Sequence, residues 1–139
     1  CYMNVIEKYP GHVVSMEAEI EKDRLIYEFD VMTKDGKQIE IECDAKKHTL
    51  HDYEVELEKG NKKFTTASKI SESEAEKIAL KEYNGKIVDR EYSMEDGKPV
   101  YEFDIYVDKK GYEYEVEVDA VSGKILEVEK ELYDIGSDS

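Results

Sequence analysis

The stretch Tyr101-Glu102-Phe103-Asp104 decides the fold of this chain, because it repeats Tyr27-Glu28-Phe29-Asp30 without a change. The repeat continues on both sides of these four residues. Three further segments recur in the same order: the turn of residues 9–11 at 83–85, the glycine turn and strand of 36–43 at 111–118, and Asp44-Ala45 at Asp119-Ala120. A repeat with an offset of 74 to 75 residues is too long for a solenoid unit and has the size of a very small domain. The sequence therefore predicts two copies of one module, an organisation that favours a binding protein.

The composition argues against several partners before any motif is considered. The chain has 139 residues, and 40% of them are hydrophobic, which suits a globular protein. The formal net charge of −15 argues against nucleic acid and against an anionic lipid surface, because both are bound through patches of Lys and Arg. No apolar run reaches the length of a membrane span and no signal peptide is present, so we expect no membrane insertion by this segment.

The second copy predicts a short helix followed by an antiparallel meander. Ser71 and Glu74 form a capping box, apolar residues follow at helical spacing, and Asn84-Gly85 ends the helix. Four strands are expected after it, at 86–94, 100–107, 113–119 and 124–132. Apolar and acidic residues alternate along the second and third of these, which is typical of strands with one buried and one wet face.

The first copy predicts the same strands at 12–20, 25–33, 37–44 and 50–58, after a helix that lacks the capping turn. We therefore expect an α+β fold with two tandem copies of a short helix packed on an antiparallel meander sheet of three to four strands. The expected domains are 1–58, with the truncated helix, and 71–135. Residues 59–70 are expected to form a linker, and residues 136–139 a disordered tail.

This order of elements resembles the PepSY domain, over nearly the whole chain and as two tandem copies. The resemblance is stronger in the second copy, which carries Ala75, Ala79, Gly85, Tyr101 to Asp104, Gly111 and the run from Asp119 to Leu126. The first copy keeps Pro10-Gly11, Tyr27 to Asp30, Gly36 and Asp44-Ala45, but it has His48 in place of the turn glycine.

The resemblance also implies a class of function. PepSY domains occur in the propeptides of thermolysin-type secreted metallopeptidases and in many bacterial secreted, lipoprotein and membrane proteins. It therefore implies a bacterial extracytoplasmic module, secreted or attached to the cell envelope, of a non-catalytic kind proposed to inhibit or modulate peptidases. No residue of a catalytic, cofactor or metal site is carried over, and the sequence shows no convergent nucleophile, base and oxyanion set. We expect neither an enzyme nor a cofactor nor a resident metal.

Several aspartates are assigned structural roles. Asp44 and Asp119 open the turn after the third strand of each copy, where a carboxylate accepts backbone N–H groups. Asp30 and Asp104 face away from the aromatic side chains, and we expect them to be solvated. The alternative is weak binding of a hard cation between them and the acidic residues of the neighbouring strand, which are Glu40, Glu42, Glu115 and Glu117.

The two histidines of the first copy have a spacing that is compatible with metal ligation. His48 and His51 lie in one turn, but no cysteine or second histidine pair is near them in the sequence. They make a poor zinc signal for that reason. Because His48 replaces a turn glycine, we expect it on the surface.

The two cysteines leave three alternatives open. Cys43 aligns with Val118, an inward position, and Cys1 aligns with Ala75, on the helix face that packs on the same sheet. A Cys1–Cys43 disulfide is therefore compatible with the repeat in an oxidising compartment. The alternatives are a lipidated Cys1, and a Cys1 that marks the boundary of a processed product or fragment.

The candidate contacts with a partner lie in the second copy. Of the 11 tyrosines, some are expected at the edge of the core and others on outward or turn positions. The candidate partner-binding residues are Tyr92, Tyr106, Tyr112, Glu113, Glu115 and Glu117, and the glutamates favour a basic partner. The leading hypothesis is recognition of a protein, in particular a peptidase, through sheet faces or strand edges. The alternative function is a structural spacer in a larger cell-envelope protein with no dedicated ligand.

Overall fold

The computed structural model describes residues 1–108 and 111–136, with side chains described up to Leu132. The elements in chain order are α1 (Tyr2–Lys8), β1 (Gly11–Glu21), β2 (Arg24–Thr33), β3 (Gln38–Asp44), β4 (Leu50–Leu57), α2 (Lys62–Ala67), α3 (Glu72–Glu82), β5 (Lys86–Glu95), β6 (Lys98–Val107), β7 (Tyr112–Asp119) and β8 (Ile125–Gly136). This composition of elements confirms the predicted α+β class. Of the residues predicted as a tail, Gly136 ends β8, and 137–139 lie outside the described residues.

The chain divides into two compact units. Unit 1 comprises Cys1–Glu56 and the described residues from Glu131 onward, and unit 2 comprises Leu57–Lys130. Residues 59–70, predicted as a linker, belong to unit 2 and contain α2, because Phe64 is buried among aromatic side chains of that unit. Residues 131–135, predicted to close the second copy, group with unit 1 instead.

Unit 1 carries its own hydrophobic core under a short helix. Strands β1 to β4 pair antiparallel in consecutive order. Val5 of α1 is buried against a row of β2 and β3 side chains: Phe29, Val31, Ile39, Ile41 and Cys43. Helix α1 has seven residues, and its N-cap residue Cys1 makes no side-chain capping bond.

A disulfide joins the start of α1 to β3. Cys1 and Cys43 are bonded with their Cα atoms 6.0 Å apart, a separation in the usual range for disulfides. The alignment of the two copies left this pairing open as one of three alternatives for Cys1, because it placed both residues at inward positions. The structure contains the disulfide.

Unit 2 repeats this arrangement with a longer, capped helix. Strands β5 to β8 pair antiparallel in consecutive order. The Ser71 hydroxyl accepts the N–H of Glu74 at 3.1 Å, which satisfies one free donor at the start of α3. Ala75 and Ala79 of α3 are fully buried in a core that includes Phe103.

The glycine of the repeated turn, Gly11 in one unit and Gly85 in the other, is explained by a close backbone approach. A Cβ atom added to Gly11 would lie 2.1 Å from the carbonyl oxygen of Met32, and one added to Gly85 would lie 2.3 Å from that of Tyr106. Both distances are far below van der Waals contact with backbone atoms that cannot rotate away. The repeated glycine therefore lies just after each helix, where the backbone passes close to the neighbouring strand.

We expect the substitution Gly85→Ala to lower the free energy of unfolding by about 1–3 kcal/mol, because the backbone of β5 or β6 must move to admit the new methyl group. Chemical denaturation measures the effect. Lys86→Ala is the matched control, since Lys86 is the exposed next residue, and it is expected to change stability by less than about 0.5 kcal/mol. Equal stability of Gly85→Ala and the wild type would contradict the close approach.

Candidate interaction surface

The exposed part of the predicted contact set lies at the end of the β6–β7 hairpin. Tyr106 and Tyr112 are 37% and 44% exposed, whereas most aromatic side chains of unit 2 are buried. Glu113 is half-buried and lies directly opposite Tyr106, and Tyr112 lies opposite Val107. Because side chains alternate along a strand, Tyr106 and Glu113 share one face of the hairpin and Tyr112 lies on the other. We call these three residues the hairpin-end surface.

Lysine and tyrosine side chains surround Tyr112. The Lys130 ammonium lies 3.6 Å from the centroid of the Tyr112 ring, a cation–π contact that holds the ring in place. On the same face of β7, Tyr114 stacks on Tyr83 of α3 with ring centroids 4.0 Å apart. Burial, together with Tyr114 and Glu82, raises the pKa of Tyr83. Local sequence patterns do not predict these pairs, since they join residues far apart in the chain.

Tyr92 is not a surface residue, and its placement in the predicted contact set is wrong. Its ring is buried against Phe64 and Tyr101, and its hydroxyl donates to the Glu72 carboxylate at 2.6 Å. Burial and the Glu72 carboxylate raise the pKa of Tyr92. The physical reason for the different placement is a bulge in β5 between Ile87 and Asp89, which turns the later side chains of the strand to the opposite face.

Glu115 and Glu117 are also buried, so they do not offer charge to a basic partner. Each is only 3% exposed. Glu115 lies opposite Asp104 on β6, and Glu117 lies opposite Glu102. The register therefore places acidic side chains beside one another on the polar face of the sheet.

The polar face of unit 1 contradicts the expectation of solvated carboxylates in the same way. Asp30, Glu40 and Glu42 are at most 4% exposed. Asp30 lies opposite Glu40, and Glu40 lies opposite Glu54 on the next strand. Each carboxylate is thus flanked by acidic side chains of the neighbouring strands on its own face. The alternation of residues along a strand predicts which side chains share a face. It does not predict whether that face is buried or exposed to water.

The turn aspartates have the structural role predicted for them. The Asp44 carboxylate accepts the backbone N–H groups of Lys46 and Lys47, each at 2.9 Å. The N–H of Lys47, followed by that of Lys46 and by the Arg24 guanidinium, lowers the pKa of Asp44. Burial by itself raises the pKa of Asp119, but the N–H groups of the following turn outweigh it and leave that pKa lowered. Both carboxylates stay ionised and close their turns.

The two histidines are placed differently. His48 is exposed and has a φ of 60°, in the same region as the φ of 78° of Gly123, its equivalent in the second copy. The backbone therefore keeps the turn although the glycine is missing. The Nδ1 atom of His51 lies 3.1 Å from Asp52 and 3.6 Å from Glu42, so its contacts are with carboxylates.

The elements and the two hydrophobic cores define a small α+β protein. A family model described as "Peptidase propeptide and YPEB domain", PepSY, matches residues 4–47 and 69–129, which together make up most of the chain. The chain belongs to the PepSY family, and the two matched segments are consistent with two tandem PepSY-like domains.

The chain is similar to one curated protein and to one solved structure. The chain is 28% identical over 119 residues to "Uncharacterized protein YkoJ" of Bacillus subtilis (strain 168), and the match covers 86% of this chain and 65% of that protein. The chain thus spans slightly less than two thirds of the length of this relative. The crystal structure of a "putative lipoprotein" from Clostridium difficile 630 is 22% identical and covers 93% of this chain and 88% of that one. Its TM-score of 0.39 is too low to support the assignment further.

Family membership sets the class of function. PepSY domains are generally non-catalytic, propeptide-like modules, and membership suggests an extracytoplasmic location. Among the residues that the structure describes, no helix is long and apolar enough to cross a membrane.

Proposed function

We propose that this chain is a non-catalytic extracytoplasmic binding module that inhibits or modulates a secreted peptidase through its hairpin-end surface. It would do so as two tandem PepSY copies, each a short helix on a meander of three to four strands. The observation that carries the proposal is the exposure of Tyr106 and Tyr112 in a chain of the peptidase-propeptide family. The peptidase would be of the secreted metallopeptidase type whose propeptides contain this domain.

The chemistry of this surface suits protein recognition. Tyrosine is enriched at interface hot spots, because its ring buries a large area while its hydroxyl still forms hydrogen bonds. The ring of Tyr112 is already held by Lys130, so less conformational entropy is lost on binding. Glu113 adds one accessible carboxylate, and the net charge of −15 favours encounter with a basic surface.

The first copy provides a natural comparison, because the equivalent positions carry different side chains. Alignment of the repeats places Met32 opposite Tyr106 and Lys37 opposite Tyr112. Met32 is 37% exposed, the same fraction as Tyr106. The two units therefore share positions but differ in chemistry, and we assign binding to unit 2.

We expect the double substitution Tyr106→Ala/Tyr112→Ala to weaken binding to a thermolysin-type metallopeptidase by about tenfold or more, since two hot-spot rings are removed. Inhibition assays against a panel of purified secreted metallopeptidases, with the intact chain as the inhibitor, measure the effect. Met32→Ala/Lys37→Ala is the matched control, because it makes similar truncations at the equivalent exposed positions of unit 1. The control is expected to inhibit as the wild type does.

Two results would contradict the proposal. If the wild type inhibits no peptidase of the panel and retains none in pull-downs, the peptidase function fails, and the structural spacer becomes the better account. If the wild type inhibits but the double variant inhibits equally, the function stands and the hairpin-end surface is the wrong site.

A further inference from the structure

Four glutamates meet on the polar face of unit 1. Glu17 of β1 lies opposite Glu28 of β2, and Glu28 lies opposite Glu42 of β3. Glu19 follows Glu17 on the same face of β1. Carboxylate oxygens of Glu17, Glu19 and Glu28 lie within 4.8 Å of one another, and so do those of Glu19, Glu28 and Glu42. We call these four residues the glutamate cluster.

Glu19 is the member whose environment calls for a ligand. It is fully buried, and among the residues that the structure describes no hydrogen-bond donor reaches either of its carboxylate oxygens. An ionised carboxylate that is removed from water without a partner is strongly destabilising. The guanidinium of Arg24, on the neighbouring strand β2, pairs with Glu21 and Asp44.

Clustered carboxylates are destabilising for a second reason, which is their mutual repulsion. Like charges at these distances, out of water, require a cation or protons to compensate them. The other three members of the glutamate cluster are at most 5% exposed, so water compensates little of their charge. The cluster thus combines an acidic site with a buried side chain, that of Glu19, which is aimed into it and has no hydrogen-bond donor among the described residues.

We propose that the glutamate cluster of unit 1 binds a hard divalent cation of the calcium type. Calcium takes about six to eight oxygen ligands at roughly 2.3–2.6 Å, so two oxygens on one ion lie at most about 5 Å apart. The separations of up to 4.8 Å within each set of three, which are Glu17, Glu19 and Glu28 or Glu19, Glu28 and Glu42, fit this limit. Three carboxylates offer up to six oxygens, and calcium accepts such flexible sets. Magnesium fits less well, because it requires near-octahedral geometry at about 2.0–2.1 Å and keeps several waters.

Comparison of the two copies shows that one member of the glutamate cluster is present only in the first. The equivalents of Glu17, Glu28 and Glu42 are all glutamates, but Glu19 aligns with Ser93. Glu19, whose two carboxylate oxygens have no hydrogen-bond donor among the described residues, is therefore absent from the equivalent set of the second copy. Both oxygens of Glu102 in that set also lack a donor among the described residues, so it is the additional carboxylate of Glu19 that distinguishes the first copy.

Calorimetric titration of the intact chain with calcium chloride, after treatment with chelator, tests the proposal. The wild type is expected to give a saturable heat and a calcium-dependent rise in melting temperature, with a weaker response to magnesium chloride. Glu19→Gln is expected to weaken calcium binding by about tenfold or more, because changes even outside the ligand sphere of a metal have effects of that size. Glu7→Gln is the matched control, since Glu7 is an exposed carboxylate of the same unit, and it is expected to bind as the wild type does.

Melting temperatures separate a cation site from simple repulsion. Without calcium, Glu19→Gln is expected to melt at or above the wild-type temperature, because one repelling charge is gone. With calcium the order of the melting temperatures reverses, since only the wild type is stabilised by calcium binding. Glu17→Gln serves as a second variant and is expected to lose binding as well. Absence of a saturable calcium heat in the wild type, or calcium binding unchanged in both variants, would overturn the proposal, as would magnesium binding tighter than calcium.

Discussion

Replacing Cys1 by serine is expected to lower the free energy of unfolding by about 2–4 kcal/mol, the usual effect of removing a disulfide. The bond joins residues 42 positions apart, so in the unfolded state it closes a long loop and restricts the chain. Cys1 is only half-buried and Cys43 is fully buried, which makes Cys1→Ser the less disruptive way to remove the bond. Urea denaturation of oxidised protein measures the effect.

Reduction of the disulfide provides the control for this prediction. Reductant is expected to lower the stability of the wild type to the level of Cys1→Ser and to leave the variant unchanged. Titration of free thiols in the denatured, unreduced wild type is expected to give none, since both cysteines are paired. Two free thiols, or a stability that does not respond to reductant, would contradict the bond.

The substitution Phe103→Ala is expected to have the largest effect, a loss of about 3–5 kcal/mol of unfolding free energy. Phe103 is the phenylalanine of the repeated four-residue stretch and is fully buried in the core of unit 2. Its ring stacks near Tyr101, with centroids 6.0 Å apart, and it lies opposite Val116. Truncation removes these contacts and leaves a cavity that the rigid strands cannot close.

Phe29→Ala tests whether the repeated stretch has the same role in both units. Phe29 lies opposite Ile41 in unit 1, as Phe103 lies opposite Val116 in unit 2, and a loss of similar size is expected. Leu126→Ala is the control, because Leu126 is 51% exposed, and it is expected to change stability by about 0.5 kcal/mol or less. A loss in Phe103→Ala no larger than in Leu126→Ala would show that Phe103 does not occupy a core.

Features that depend on neighbouring residues, or on the repeat, could be predicted from the sequence. The Asp44 turn follows from local chemistry, because a carboxylate two residues before the free N–H groups accepts them in any such turn. The cap at Ser71 has the same local basis. The pairing of Cys1 with Cys43 could be offered only as one alternative, because alignment with Ala75 and Val118 shows that both positions face inward but does not give the distance between them.

The burial of Tyr92 and of Phe64 could not be predicted from the sequence. The bulge in β5 changes the face of Tyr92, and no residue type in the strand signals it. Ala18, the equivalent of Tyr92 in the first copy, is also fully buried after a bulge in β1. Phe64 is the one aromatic residue of the mostly polar segment 59–70, and only the structure shows that it fills a core.

The exposure of the predicted contact residues could be inferred for only half of the set. Tyr106, Tyr112 and Glu113 are accessible, whereas the other three residues are buried. The alternation of apolar and acidic residues identified the two faces of each strand correctly. Whether the acidic face contacts water depends on tertiary structure, and the alternation contains no information about it.

Amide hydrogen exchange of the intact chain, with and without a thermolysin-type metallopeptidase that it inhibits, tests the central claim most directly. We predict slower exchange on binding in peptides of unit 2 that contain Tyr106, Tyr112 and Glu113, and unchanged exchange in the peptide that contains Met32 and Lys37. Exchange that is unchanged throughout the chain, or protection confined to unit 1, would contradict the account.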